Sequence, residues 1–165
     1  MTVSVETFRS TMALFPGAVN VITTGAGELR RGITATAVCS VTDSPPSILV
    51  CVNKKTGTCA EITRSGRFSV QLLGEEQTSL AMTFAGTDGL TGAEKFDNIE
   101  WSECPLGLPQ IDDAIASISC EVSTSTEAGS HQVFIGRIEH MQTGQGEALV
   151  YAQSKFHKLA NVHQR

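Results

Sequence analysis

The spacing of apolar and polar positions changes abruptly along the chain. Val5, Phe8, Met12 and Phe15 recur at helical spacing, which predicts a helix over Val5 to Phe15, stopped by Pro16-Gly17. The period then falls to two. Val19 to Thr24 reads as a strand, Gly25-Ala26-Gly27 as a turn, and Gly32 to Ser40 as a second strand rich in Thr, Ile and Val. After Pro45-Pro46, Ser47 to Asn53 is a near-continuous apolar run, which predicts a strand covered on both faces. Thr58-Cys59-Ala60-Glu61 has the threonine-to-glutamate spacing of a capping box, so a short helix is expected to about Arg64, closed by Ser65-Gly66. Phe68 to Leu73 is a further strand, and Gln77 to Phe84 a second short helix. Residues 86 to 112 are rich in Gly, Pro, Asp and Glu and read as a long irregular excursion. A segment of that kind usually covers something or carries function.

The second half is more strictly β. Ile115 to Thr124 alternates, Ala128-Gly129-Ser130 turns, and Val133 to Met141 alternates again. Leu149-Val150-Tyr151 and Lys155-Phe156-His157 are short closing strands. Roughly seven strands with few helices predict a mainly β fold, a closed or nearly closed barrel. A chain of 165 residues is one domain by length, large enough to fold around its own core.

Composition narrows the function classes. A formal charge of -5 disfavours a nucleic-acid partner, which needs a basic face. No apolar run approaches the ~20 residues of a membrane span, and Met1 to Ser10 lacks the pattern of a signal peptide, so a soluble, cytoplasmic protein is expected. The five cysteines form no Cys-x-x-Cys pair and the four histidines are scattered, which suggests ordinary thiols and no metal site.

The usual nucleotide-binding signatures are missing. There is no Gly-x-Gly-x-x-Gly after a strand and no Walker A loop, and no Ser-His-Asp set stands out. Three other features could hold a ligand. Asn53-Lys54-Lys55-Thr56-Gly57-Thr58 precedes a helix, whose free N–H groups suit a phosphate; a solvated basic turn is the alternative. Gly32-Ile33-Thr34-Ala35-Thr36-Ala37 alternates small residues with hydroxyls, as a backbone approached by a flat ring would, or as any Thr-rich strand does. Gly129-Ser130-His131 puts a histidine at a turn, where it either meets a ligand or is simply exposed.

These features occur together in one family. The segment from Gly32 through Thr36, Cys39 and Ser40 to Pro45-Pro46 closely resembles the signature of the flavin reductase-like family. The pattern is similar to that of the reductase components of 4-hydroxyphenylacetate 3-monooxygenase and related phenol-type two-component monooxygenases. Shorter matches lie at Phe8-Arg9, Ala18 to Thr24, Val50 to Asn53, Phe84-Ala85-Gly86, Lys95-Phe96, Gly129-Ser130-His131 and Leu149-Val150-Tyr151, so the resemblance spans about Phe8 to Leu159.

The resemblance implies a homodimeric split β-barrel of the FMN-binding type. It implies hydride transfer from NADH to FAD or FMN, and delivery of diffusible reduced flavin to an oxygenase component. It implies that Thr34, Ala35, Thr36, Ala37, Ser40 and Val41 line the isoalloxazine and ribityl chain. Asn53, Lys54 and Thr56 would lie at the phosphates. Phe84, Ala85 and Gly86 would flank the outer part of the flavin, with Phe96 nearby. His131, the catalytic candidate, and Tyr151 would lie where the nicotinamide arrives. Two positions depart from the pattern. Ser130 stands where many members have Asp, and Phe15-Pro16-Gly17-Ala18 lacks a threonine common in that turn. A non-enzymatic flavin-binding or electron-carrier protein on the same barrel is the rival reading.

Overall fold

The computed structural model describes residues 2–162. It is mainly β with three short α-helices. Helix α1 (Val5–Met12) is capped by Ser4, whose Oγ accepts from the N–H of Thr7 at 3.0 Å. It ends sooner than the apolar spacing predicts, and none of its residues is buried. The strands are β1 (Gly17–Ala18), β2 (Asn20–Thr24), β3 (Arg31–Ala35), β4 (Val38–Asp43) and β5 (Pro46–Asn53). Helix α2 (Gly57–Ser65), β6 (Arg67–Leu72) and helix α3 (Thr78–Ala85) follow. Then come β7 (Trp101–Glu103), β8 (Pro109–Ile111), β9 (Ala116–Ala128), β10 (His131–Thr143), β11 (Val150–Ala152) and β12 (Lys155–His157).

Seven strands form one sheet in the order β3-β2-β6-β9-β10-β5-β4, antiparallel throughout. The run from Gly32 to Ser40, expected as one strand, is therefore two. β3 and β4 stand at opposite ends of the order and only Thr36-Ala37 joins them. The three Cα steps from Ala35 to Val38 span at most about 11 Å. The sheet must therefore curl until its edges come close, although no ladder pairs β3 with β4 among the described residues.

Curling puts apolar side chains on both sides of β2, all five of whose residues are buried. Ile22 packs with Val50, Ile62, Phe68, Cys120 and Phe134 inside the curl. Val19 and Val21 pack outside it with Ala81, Phe84, Phe96 and Leu149. β5, expected to be covered on both faces, alternates instead. Ile48, Val50 and Val52 are buried, while Leu49 and Cys51 on the other face are only half-buried.

The start of α2 also differs from expectation. Its cap is Thr56, not Thr58. The Thr56 Oγ1 accepts from the N–H of Cys59 at 3.1 Å and donates to the Asn53 carbonyl at 2.8 Å. Glu61 does not reach back to the cap, because both of its oxygens accept from Arg64, at 2.6 and 2.8 Å. Gly66 closes the helix at φ 70°, a left-handed conformation that glycine takes without strain. The 86–112 excursion is partly ordered. It holds a 3-10 turn over Gly92–Phe96 with a Thr91/Glu94 capping box, and the β7–β8 pair, and it buries Phe96, Leu108 and Ile111.

Thr23, Gln71 and Ser117 form a buried polar seam below β8. The Gln71 amide donates to Thr23 at 3.1 Å and accepts from Ser117 at 2.6 Å, and Thr23 donates to the Pro109 carbonyl at 2.6 Å. Each member finds its partner within the seam or on β8, which is the condition for a stable buried network.

Gly136 lies at a bulge of β10, and a Cβ there would sit 2.6 Å from the Phe68 ring and 2.7 Å from the Cys120 Cβ. Gly136→Ala is expected to destabilise the fold by about 1–3 kcal/mol through overpacking. Thermal unfolding would register this as a Tm lowered by roughly 2–4 °C per kcal/mol.

Candidate functional site

The free edge of β3 is where the surface opens. Three clefts meet along it. The first, about 550 Å³, runs from Arg31, Gly32 and Ile33 past Thr56, Gly57 and Thr58 to Gly86, Gly92 and Lys95. The second, about 250 Å³, lies on the α3 side, between Thr34, Ala35 and Thr36 and a wall of Ala81, Met82, Ala85, Tyr151 and Phe156. The third, about 270 Å³, shares Ile33 to Ala37 and is closed by Cys51, Val52, Asn53 and His131.

β3 is held from below by aromatic packing. Gly32 lies over the Phe84 ring so closely that a Cβ would fall 2.5 Å from it. Phe84 meets Phe96 edge to face with centroids 5.1 Å apart, and Phe96 meets Trp101 likewise at 5.9 Å. Arg30 stacks on Trp101 at 4.6 Å. On the α3 side, the Thr34 hydroxyl donates to the Ala81 carbonyl at 2.5 Å. The strand is thus anchored on its side chains and offers its edge to the clefts.

The first cleft has a cationic end. The Arg31 Nη1 donates to the carbonyls of Glu28 and Arg30 at 2.8 and 2.7 Å. The guanidinium passes between two glycines. A Cβ on Gly57 or Gly92 would fall 3.2 or 3.3 Å from it. Lys95, half-buried, donates to the Phe84 carbonyl at 3.2 Å. Burial pulls its ammonium below the usual lysine range, and Asp88 partly offsets this. The N–H groups of the first turn of α2 and its positive dipole end belong to the same cleft.

The sequence-predicted residues are distributed unevenly among these clefts. Thr34, Ala35 and Thr36 line two of them, and Ala37, Asn53 and His131 meet in the third. Thr56 and Gly86 line the first, and Ala85 and Tyr151 the second. Tyr151 packs edge to face on Phe156 at 5.3 Å and does not share a cleft with His131. Phe84 and Phe96 are 0% and 1% exposed, so their rings support β3 from beneath. Ser40 and Val41 sit exposed on β4 beside its bulge and line none of the three clefts.

Lys54 also lies apart from the first cleft. Its Nζ pairs with Glu127 at 3.0 Å and its N–H donates to the Ser130 carbonyl at 3.0 Å. It ties the end of β5 to the β9–β10 turn. Arg31 and Lys95 are the cations that sequence reading passed over as site residues. Only their position against the α2 N-terminus distinguishes them, and that depends on the path of residues 86–95. In the third cleft, burial and the neighbouring Cys39 push the Cys51 thiol up.

Known proteins with this architecture bear on what such an edge does. Over residues 12–160 the chain matches the flavin reductase like domain. The 4-hydroxyphenylacetate 3-monooxygenase reductase component of Salmonella typhi is 39% identical over 153 residues, 92% of this chain and 90% of that one. The solved structure of flavin reductase PheA2 in its native state aligns with a TM-score of 0.87 at 34% identity, covering 96% of this chain and 100% of that chain. The NADH:FAD oxidoreductase SgcE6 of Streptomyces globisporus C-1027, solved with NAD and FAD fragments, aligns with a TM-score of 0.87 at 28% identity over 97% of each chain. With nearly the whole length matched in both sequence and fold, the chain belongs to the flavin reductase-like family.

Proposed function

We propose that the protein is an NADH-dependent flavin reductase of a two-component monooxygenase. In this reading it is a cytoplasmic homodimer on a split β-barrel. It transfers hydride from NADH to FAD or FMN and supplies diffusible reduced flavin to a partner enzyme that oxygenates an aromatic compound. One observation carries the reading: three clefts converge on the edge of β3, with a cationic helix start at one end and His131 at another. The relatives' own descriptions as reductase components and as an NADH:FAD oxidoreductase support it. The exposed apolar positions of α1, Val5, Phe8 and Met12, give a second copy a surface to cover.

The residues present fit a flavin. Ala35 and Ala37 carry small side chains on the shared edge, so a flat ring system can approach the backbone there. Arg31, Lys95 and the first N–H groups of α2 suit an anionic phosphate or diphosphate. A bound flavin supplies the hydride-accepting ring, which leaves binding and orientation to the protein. The β3 edge would hold that ring, and the Tyr151–Phe156 pair would wall the cleft on the α3 side. His131 and Asn53 would border the approach of the nicotinamide, which needs a reactive distance of ~3–3.5 Å.

The direct test is steady-state oxidation of NADH and NADPH with FAD, FMN and riboflavin in turn. Rapid NADH oxidation that requires added flavin is expected. Tight flavin binding with NADH oxidation no faster than in free solution would favour the electron-carrier reading instead. His131→Ala should lower kcat/KM for NADH by about tenfold, the equivalent of about 1.4 kcal/mol of transition-state binding, with the Kd for flavin unchanged. Lys95→Met should weaken FAD and FMN about tenfold, the loss of one charge-assisted hydrogen bond, and leave riboflavin unaffected. Lys54→Met, measured in the same titration, should change flavin affinity less than Lys95→Met does, because Lys54 is engaged with Glu127.

A further inference from the structure

His131 sits at the first position of β10, directly opposite Asn53 of β5 and Ala128 of β9. It follows a two-residue turn, Gly129-Ser130, in which Gly129 takes φ 58°. Tips of long hairpins are commonly loose. This one is tied down from outside by the Lys54 N–H on the Ser130 carbonyl and by the Lys54–Glu127 ion pair, both at 3.0 Å. The imidazole itself has one partner among the described residues, the Ser130 Oγ, 2.9 Å from Nδ1. Asn53 makes no hydrogen bond to the ring among the described residues, and its Oδ1 accepts from the N–H of Lys55 at 2.9 Å.

We infer that Ser130 is a positioning residue for His131. Its hydroxyl donates to Nδ1, fixes the ring, and leaves the proton on Nε2 as a hydrogen-bond donor for the carboxamide oxygen of the incoming nicotinamide. The Ser130 hydroxyl has no other partner among the described residues, so its proton is available to Nδ1. The nitrogen away from Ser130 is then the one that carries a proton, and His131 lines the cleft beside β3. The part of this assignment that concerns nicotinamide rests on the flavin reductase reading. The hold on the ring does not.

Two measurements separate them. The first is ¹⁵N NMR of the flavin-free protein, with the His131 signals identified by their loss in His131→Asn. Recorded at a pH where imidazoles are neutral, the parent is expected to carry its ring proton on Nε2, and Ser130→Ala to show a mixture of both tautomers. The second is NADH-dependent flavin reduction. Ser130→Ala should raise KM for NADH roughly three- to tenfold with kcat and flavin Kd nearly unchanged, the size expected for one neutral hydrogen bond. Ser130→Thr, which keeps the hydroxyl, should restore both readouts to within about twofold of the parent. A parent ring protonated on Nδ1, or a Ser130→Ala variant with unaltered tautomer and KM, overturns the inference. An Nε2-protonated parent that oxidises no NADH overturns the flavin reductase reading while supporting the hold of Ser130 on the ring.

Discussion

The molecule is organised by a limit on chain reach. β3 and β4 are separated by only Thr36-Ala37, yet five strands lie between them in the sheet. The sheet can satisfy both facts only by bending round until its two edges nearly meet. The bend creates an interior, filled by Ile22, Val50, Phe68 and Phe134. It also leaves the β3 edge without a ladder partner among the described residues, bordered by whatever approaches it from either side. On one side that is α3 with Tyr151 and Phe156. On another it is the end of β5 with His131, and at the near end of the strand it is the start of α2. The clefts are thus a by-product of how the sheet curls.

An open strand edge bordered by clefts has to be held by something other than a neighbouring strand. Here the work falls on the layer beneath it. The Phe84–Phe96–Trp101 edge-to-face series, with Arg30 stacked at its end, presses on the Gly32 backbone and buries the rings. This gives the 86–112 excursion a physical purpose. It supplies Phe96 and Trp101 to that layer and Lys95 to the cleft above, joining support and a cation in one segment.

Much of this was legible in the sequence. Period-two alternation located β2, β9 and β10, a continuous apolar run located β5, and the expected residues Thr34, Thr36, Thr56 and His131 all line clefts. The failures have separate physical causes. The break at Thr36-Ala37 was hidden because local β propensity runs through it, and only sheet order makes it a corner. The Thr58–Glu61 spacing satisfied the capping rule, but Thr56 captured the helix start and Arg64 captured the glutamate, a competition between partners that spacing does not encode. Lys54 reads as a phosphate ligand by position, whereas its side chain is drawn to Glu127, which lies on a strand seventy residues away and more. Arg31 and Lys95 share a cleft only because the excursion folds back over the α2 start.

The missing side chain at Gly32 limits how this surface can diverge. With Phe84 pressed against the backbone, nothing larger than hydrogen fits there without moving a ring buried in the core. The floor of the site is therefore coupled to the stability of the fold. The rims are not: residues 86–92 and the 129–131 turn are mostly exposed. Evolutionary change in what the site accepts is thereby channelled to these margins, where a new side chain can alter the opening without disturbing the packing underneath.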